Sequence, residues 1–237
     1  MSFTPQRRFW SRVTTERYES GYVVALDGKP LRTPARADLV LPGAALARAV
    51  AAEWDAMEDR IDPDVLPLTK ASNAAIDKVA GQRGAVVDML AGFGGTDLLC
   101  YRADAPPALV SRQAEAWDPW LRWAEAELGA TLITATGVMH VAQPAPAMTA
   151  LHARADAFDA FGLAGLHDLV TLSGSLVLGL AVADGALAPA PAWDLSRIDE
   201  TWQEAQWGVD AEAAAAADRR RGAFLDAARL LDLLKEG

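Results

Sequence analysis

The feature that most constrains this chain is a change of period near Pro42-Gly43. Before it, residues 10–41 carry short apolar runs and turn signals that suit strands. After it, nearly every apolar residue recurs at helical spacing. Tyr22 to Leu26 forms an apolar run closed by Asp27-Gly28, a two-residue hairpin signal because both positions tolerate positive φ. Leu31 and Thr33 alternate around Arg32, and Leu39-Val40-Leu41 reads as a further short strand. Three or four antiparallel strands in a small twisted sheet are expected.

Past Gly43 the stripe Leu46, Val50, Trp54, Met57 predicts a helix that ends at Asp62-Pro63. Residues 63–67 read as a linker. The expected class is therefore α+β: a small antiparallel β-rich N-terminal domain with one helix over 1–63, then a larger, mostly α-helical C-terminal domain over 64–237. In that second part, Thr69 is the expected cap of a helix reaching Val79. A helix through Val86, Val87, Leu90 and Phe93 ends at Gly94-Gly95. Residues 96–101 suit strand or helix equally, and 130–143 suit an extended loop or a hairpin. Pro106-Pro107 opens one helix, and Asp118-Pro119 reads as the start of another. Helices are expected over 148–161 and 163–183. The alanine-rich segment from Asp210 forms the last, with Phe224, Leu225, Ala228 and Leu231 on one stripe.

Charge narrows the partners. The formal net charge of −10 argues against nucleic acid. Residues 1–36 hold seven Lys/Arg against three acids, a net of +4, which leaves −14 on the rest. The single cysteine, Cys100, excludes an internal disulfide and suits a reducing compartment. Residues 1–10 contain no apolar core of a signal peptide. The most apolar run, Leu169 to Ala183, is shorter than the roughly 20 residues that span a bilayer and reads as a buried helix.

Motifs for catalysis are missing. His140, His152 and His167 are far apart and outside any HExxH, so neither a metal nor a cofactor is expected. Gly92-Phe93-Gly94-Gly95 lacks the lysine of a phosphate loop, and Ser173-Gly174-Ser175 is not a nucleophile elbow. The acid pairs Glu53/Asp55 and Asp199/Glu200 suit solvated helix surfaces.

The stretch Trp193 to Gly208 stands apart. It packs three tryptophans and four carboxylates into sixteen residues and reads as one helix, capped by Asp194 or Ser196. Ile198, Trp202 and Ala205 share its apolar face. Glu200, Gln203, Glu204 and Trp207 fall on the other side. Glu200 and Glu204, four apart, repel each other. Trp207 beside them is either a contact surface for a partner or a residue folded into the core after the helix frays.

Five blocks in order resemble one family: Leu26-Asp27-Gly28-Lys29-Pro30-Leu31-Arg32-Thr33-Pro34, Glu53-Trp54-Asp55, Thr96 to Arg102 (TDLLCYR), Trp117-Asp118-Pro119, and Glu200-x-x-Gln203 leading to Trp207-Gly208. The family is the assembly chaperones for the catalytic sector of F-type ATP synthase, the type that handles the alpha subunit. The resemblance runs from about Arg7 to Leu234. It implies the two-part fold above and a function without catalysis: covering the surface of the unassembled alpha subunit until the ring is built. An orphan subunit of an obligate oligomer exposes such an interface.

Carried over, the family's acidic position falls on Glu200, and Gln203 and Trp207 match the same block. Glu204 lies outside that pattern but on the same helix face, and the four form the expected partner-binding set. Trp54, Asp97 and Trp117, one from each of three blocks, are expected to be structural. The resemblance also implies a bacterial, cytoplasmic protein with no stable membrane insertion and no small-molecule substrate. Two other classes compete: a small-molecule hydrolase with a site in the interdomain cleft, and a generic peptide-binding module.

Overall fold

The computed structural model describes residues 7–137 and 140–236. Strands β1 (Val13–Tyr18), β2 (Gly21–Leu26) and β3 (Lys29–Pro30) form an antiparallel sheet in that order. Val13 pairs with Leu26 and Tyr18 with Gly21, while Leu26 also pairs with Lys29. The β2–β3 turn is Asp27-Gly28, with φ of 47° and 79°. This left-handed pair gives a two-residue hairpin the twist its strands need. The Asp27 carboxylate fixes the turn by accepting bonds from the backbone N–H groups of Ser11 and Arg12, which holds its pKa below the usual carboxylate value.

Leu39-Val40-Leu41 is not a strand. It meets the sheet through a single bridge, Leu41 to Tyr22, and packs its leucines inward. Helix α1 (Ala44–Asp55) begins after Gly43 and stops at Asp55, well before Pro63. Met57 continues its buried stripe beyond the last turn. Asp62 caps a short 3-10 turn, Pro63–Val65, and α2 (Pro67–Ala74) follows with a proline in its first turn. A π-helical turn, Ala75–Val79, extends it.

Then come α3 (Arg83–Gly92), two 3-10 turns (Phe93–Thr96 and Leu98–Cys100), β4 (Tyr101–Arg102) and α4 (Pro107–Leu128). A short β5 (Ala135–Thr136) runs parallel to β4. After it stand α5 (Ala145–Asp156), α6 (Ala160–Ser173), α7 (Leu176–Asp184), α8 (Pro189–Ser196), α9 (Ile198–Trp207) and α10 (Ala211–Lys235). A small antiparallel sheet followed by a mostly helical remainder is the α+β class expected.

Two compact units emerge. One comprises Met1–Arg83, Ala160–Gly165 and Arg229–Gly237; the other comprises Gly84–Asp159 and Leu166–Ala228. In the first, Val24, Leu41, Leu46, Val50, Leu68 and Leu230 share one core cluster, with Phe161 packed against it. In the second, α4 packs on α7 and α9, and α7 packs on α8. Among the described residues no helix is long and apolar enough to cross a membrane.

Several helix boundaries differ from the sequence reading. Pro119 does not start a new helix; α4 runs through it unbroken. A proline inside a helix costs about 3 kcal/mol. Here it lies on the exposed side, while the buried stripe Gln113, Trp117, Ala124 holds both halves in register. The apolar run from Leu169 to Ala183 is two helices, not one. Gly174 between them takes φ of 75°, a conformation an L-residue adopts only at a cost. Trp193 to Gly208 is also two helices, broken at Arg197 between α8 and α9. Thr69, expected as a cap, lies inside the first turn of α2 instead.

Candidate functional site

Glu53 explains its own motif. From α1 its carboxylate accepts bonds from the N–H groups of Leu68 and Thr69, at 2.7 and 2.9 Å, and from the Thr69 hydroxyl at 2.6 Å. It therefore caps α2 across the sequence. Burial pushes its pKa up against those bonds. Trp54, half-buried, donates its indole N–H to the same Thr69 hydroxyl at 3.1 Å.

Asp97 is fully buried. It accepts bonds from the Leu99 and Val177 N–H groups, both at 3.0 Å, and from the Ser175 hydroxyl at 2.7 Å. Ser175 in turn accepts the Leu178 N–H and caps α7. Trp117 is fully buried in α4. Its indole N–H donates to the Leu195 carbonyl at 2.9 Å, and the Arg102 guanidinium lies over its ring. Arg102 reaches Asp118 at 2.8 Å. The Trp117-Asp118 pair thus ties β4 to α4 and α4 to the end of α8.

The four residues expected to bind a partner come together on α9. Glu200, Gln203, Glu204 and Trp207 line a cleft of about 450 Å³ formed with α10, whose walls include Ala213, Ala217 and Arg220. On the other flank, Gln203 and Trp207 also line a cleft of about 440 Å³, with Tyr101, Pro106, Leu109 and Trp202. Trp207 is 80% exposed and Val209 is 67% exposed. The helix does not fray before Trp207; it ends there, with the indole out in solvent. Of the opposite face, Ile198 is buried, Trp202 half-buried and Ala205 exposed. Only the first turn of α9 is embedded, so its last turn is free of the core.

The acidic pair is balanced by a residue the sequence reading passed over. Arg197, at the α8–α9 break, reaches Glu200 at 3.0 Å and Glu204 at 3.4 Å. Its side chain is 15% exposed, against 47% and 33% for the two glutamates. The signal was available: Glu200 lies at i+3 and Glu204 at i+7 from Arg197. Its guanidinium also lies 6.0 Å from the Trp193 ring, and Arg220 from α10 lies at the same distance. Trp193 is buried and packs on Phe224. Asp199 accepts a 2.6 Å bond from the Gln113 amide of α4. Asp199 and Glu200 also occupy the first turn of α9, where acids favour the helix dipole.

Elsewhere the titratable groups stand in pairs. His152 lies 2.9 Å from Asp88, and His167 lies 2.8 Å from Asp168. Among the described residues no group of three or more His, Cys, Asp or Glu is placed to hold a metal ion. Cys100 is buried, which pushes its thiol up to about 12 and keeps it protonated.

This arrangement can be set beside known proteins. A family model described as "ATP12 chaperone protein" matches residues 7–125. The chain is similar to the Schizosaccharomyces pombe protein described as "Protein atp12, mitochondrial". The two are 24% identical over 214 residues, 85% of this chain and 74% of that one. It is similar to the crystal structure of Atp12 from Paracoccus denitrificans, with 51% identity, a TM-score of 0.94, and coverage of 96% of this chain and 98% of that chain. A lysine-for-aspartate mutant of Paracoccus denitrificans Atp12p matches with 50% identity, a TM-score of 0.94, and coverage of 96% and 97%. The matched segment takes in four of the five sequence blocks, and the fold agrees along almost the whole chain. The chain belongs to the ATP12 chaperone family, the ATP synthase assembly chaperones whose ordered blocks its sequence carries.

Proposed function

We propose that this chaperone binds the unassembled alpha subunit of ATP synthase through the exposed face of α9. There it shields the surface that later meets another subunit, without catalysing a reaction, in the cytoplasm. One observation carries the reading: Trp207 stands 80% exposed at the end of a helix, between two clefts and beside Glu200, Gln203 and Glu204. Tryptophan is enriched among the few residues that carry most of the binding energy of protein interfaces. Membership of the ATP12 family supplies the class of partner.

A pull-down with separately purified alpha and beta subunits tests it. The expected result is capture of alpha, not beta, and suppression of alpha aggregation. Glu200→Lys is expected to weaken capture by far more than the small loss of stability that breaking its ion pair with Arg197 brings. Aggregation of alpha at the same rate with and without the chaperone would sink the reading. Equal suppression of unrelated unfolded chains would point to a generic peptide-binding module. Turnover of ester or phosphate substrates by the purified chain would point to a hydrolase.

A further inference from the structure

We infer that α9 takes a partner segment in which a lysine or arginine lies next to an apolar side chain, the two lodging on opposite flanks of Trp207. The inference rests on the reading above that the partner is a polypeptide, and it names the chemistry of the piece that docks.

The two clefts share Gln203 and Trp207 but differ in character. The cleft toward α10 is lined by Glu200, Glu204 and Asp210. Its two cations are already engaged. Arg197 holds Glu200 and Glu204 through one oxygen of each, and Arg220 donates to the Leu172 carbonyl and lies over Trp193. Among the described residues the second oxygen of each glutamate has no protein donor. An incoming ammonium or guanidinium can bond there while sitting against the indole face, where cation–π attraction adds to the ion pair. The cleft on the other flank is walled by Tyr101, Pro106, Leu109 and Trp202; its charged members, Arg102 and Asp199, are engaged by Asp118 and Gln113, which leaves a mostly apolar and aromatic lining for a side chain without charge.

Charge selects the same occupant. The stretch from Asp194 to Glu212 carries six carboxylates and one guanidinium. An acidic segment is repelled from this face and a basic one is drawn to it. A purely apolar segment would leave the glutamate flank unused.

Two measurements test the proposal together. The first selects peptides from a random dodecapeptide display library on the immobilised chain. The second titrates purified alpha subunit against wild type, Trp207→Ala, and Glu200→Gln/Glu204→Gln. The expected result is enrichment of peptides with Lys or Arg beside Leu, Phe, Met or a similar residue. Each variant should lose at least about tenfold in affinity for alpha, as expected for a central interface anchor. Binding should also weaken as salt is raised.

Capture of alpha with no loss in the variants would overturn this inference while leaving the proposed function standing. Enrichment of basic–apolar peptides without capture of alpha would do the reverse. Enrichment of acidic peptides would overturn the inference outright. So would self-association of the chain, seen by sedimentation velocity and abolished by Trp207→Ala, because it would make a second copy the occupant.

Discussion

The Asp97 carboxylate and the Ser175 hydroxyl lie 2.7 Å apart, although 78 positions separate them in the chain. Asp97 sits just before the turn that leads into β4, and Ser175 opens α7. Their bond, with the Val177 N–H on the same carboxylate, fixes the start of a helix that is buried from Leu176 to Ala183. An asparagine at this position presents an amide where the site supplies donors. Asp97→Asn should therefore cost about 1–3 kcal/mol in urea denaturation, the penalty of an unsatisfied buried group. A variant within a few tenths of wild type would show the cap to be dispensable.

The same carboxyl makes a pH prediction. Burial pushes Asp97 up from 3.8 to about 6, against the bonds from Val177, Ser175 and Leu99 that favour its charge. The folded chain then holds a proton that the unfolded chain has released between those values. Its contribution to stability is complete below 3.8 and is lost as pH rises through about 6. The stability gap between wild type and Asp97→Asn should narrow from about pH 4 to about pH 7, followed by urea midpoints at each pH. A gap that widens over that range would reverse the assignment.

Tryptophan substitutions should separate into two groups. Trp117 is fully buried and hydrogen-bonded, so Trp117→Ala should cost about 3–5 kcal/mol. Trp207 buries almost nothing, so Trp207→Ala should stay within about 0.5 kcal/mol of wild type. Thermal melts of the two variants decide it. A large loss at Trp207 would place its role in the fold rather than at a surface.

Glu53 and Thr69 should be energetically coupled. Glu53→Ala removes acceptors from two N–H groups at the start of α2 and should cost about 1–2 kcal/mol, the range for a lost cap. A double-mutant cycle with Thr69→Val should give a coupling of about 0.5 kcal/mol or more. Strict additivity would mean that the 2.6 Å contact contributes nothing.

Arg197 should matter more than an ordinary surface cation. It balances Glu200 and Glu204 and lies over Trp193. Arg197→Gln should destabilise by about 1–2 kcal/mol, combining a partly buried ion pair with a lost cation–π contact. Added salt should recover part of the loss by screening the repulsion between the two glutamates. A loss unaffected by salt would assign the effect to packing on Trp193 alone.

Much of this was legible in the residues themselves. Asp27-Gly28 dictated its hairpin because only a few residue types accept two successive left-handed positions. The Leu46–Val50 stripe dictated a helix with one buried face. The grouping of Glu200, Gln203, Glu204 and Trp207 followed from helical spacing alone. These are local signals, set by backbone sterics and by the period of the apolar pattern. What the chain could not disclose depends on partners remote in sequence. Glu53 capping a helix fifteen residues on, Leu230 and Phe161 packing with Val24, and Pro119 surviving inside α4 each need a neighbour that only the fold supplies. The same holds for Trp207. Spacing placed it on the polar face of α9. Only the tertiary structure, by embedding the first turn of that helix and leaving the last turn clear, decided that the indole faces water rather than the core.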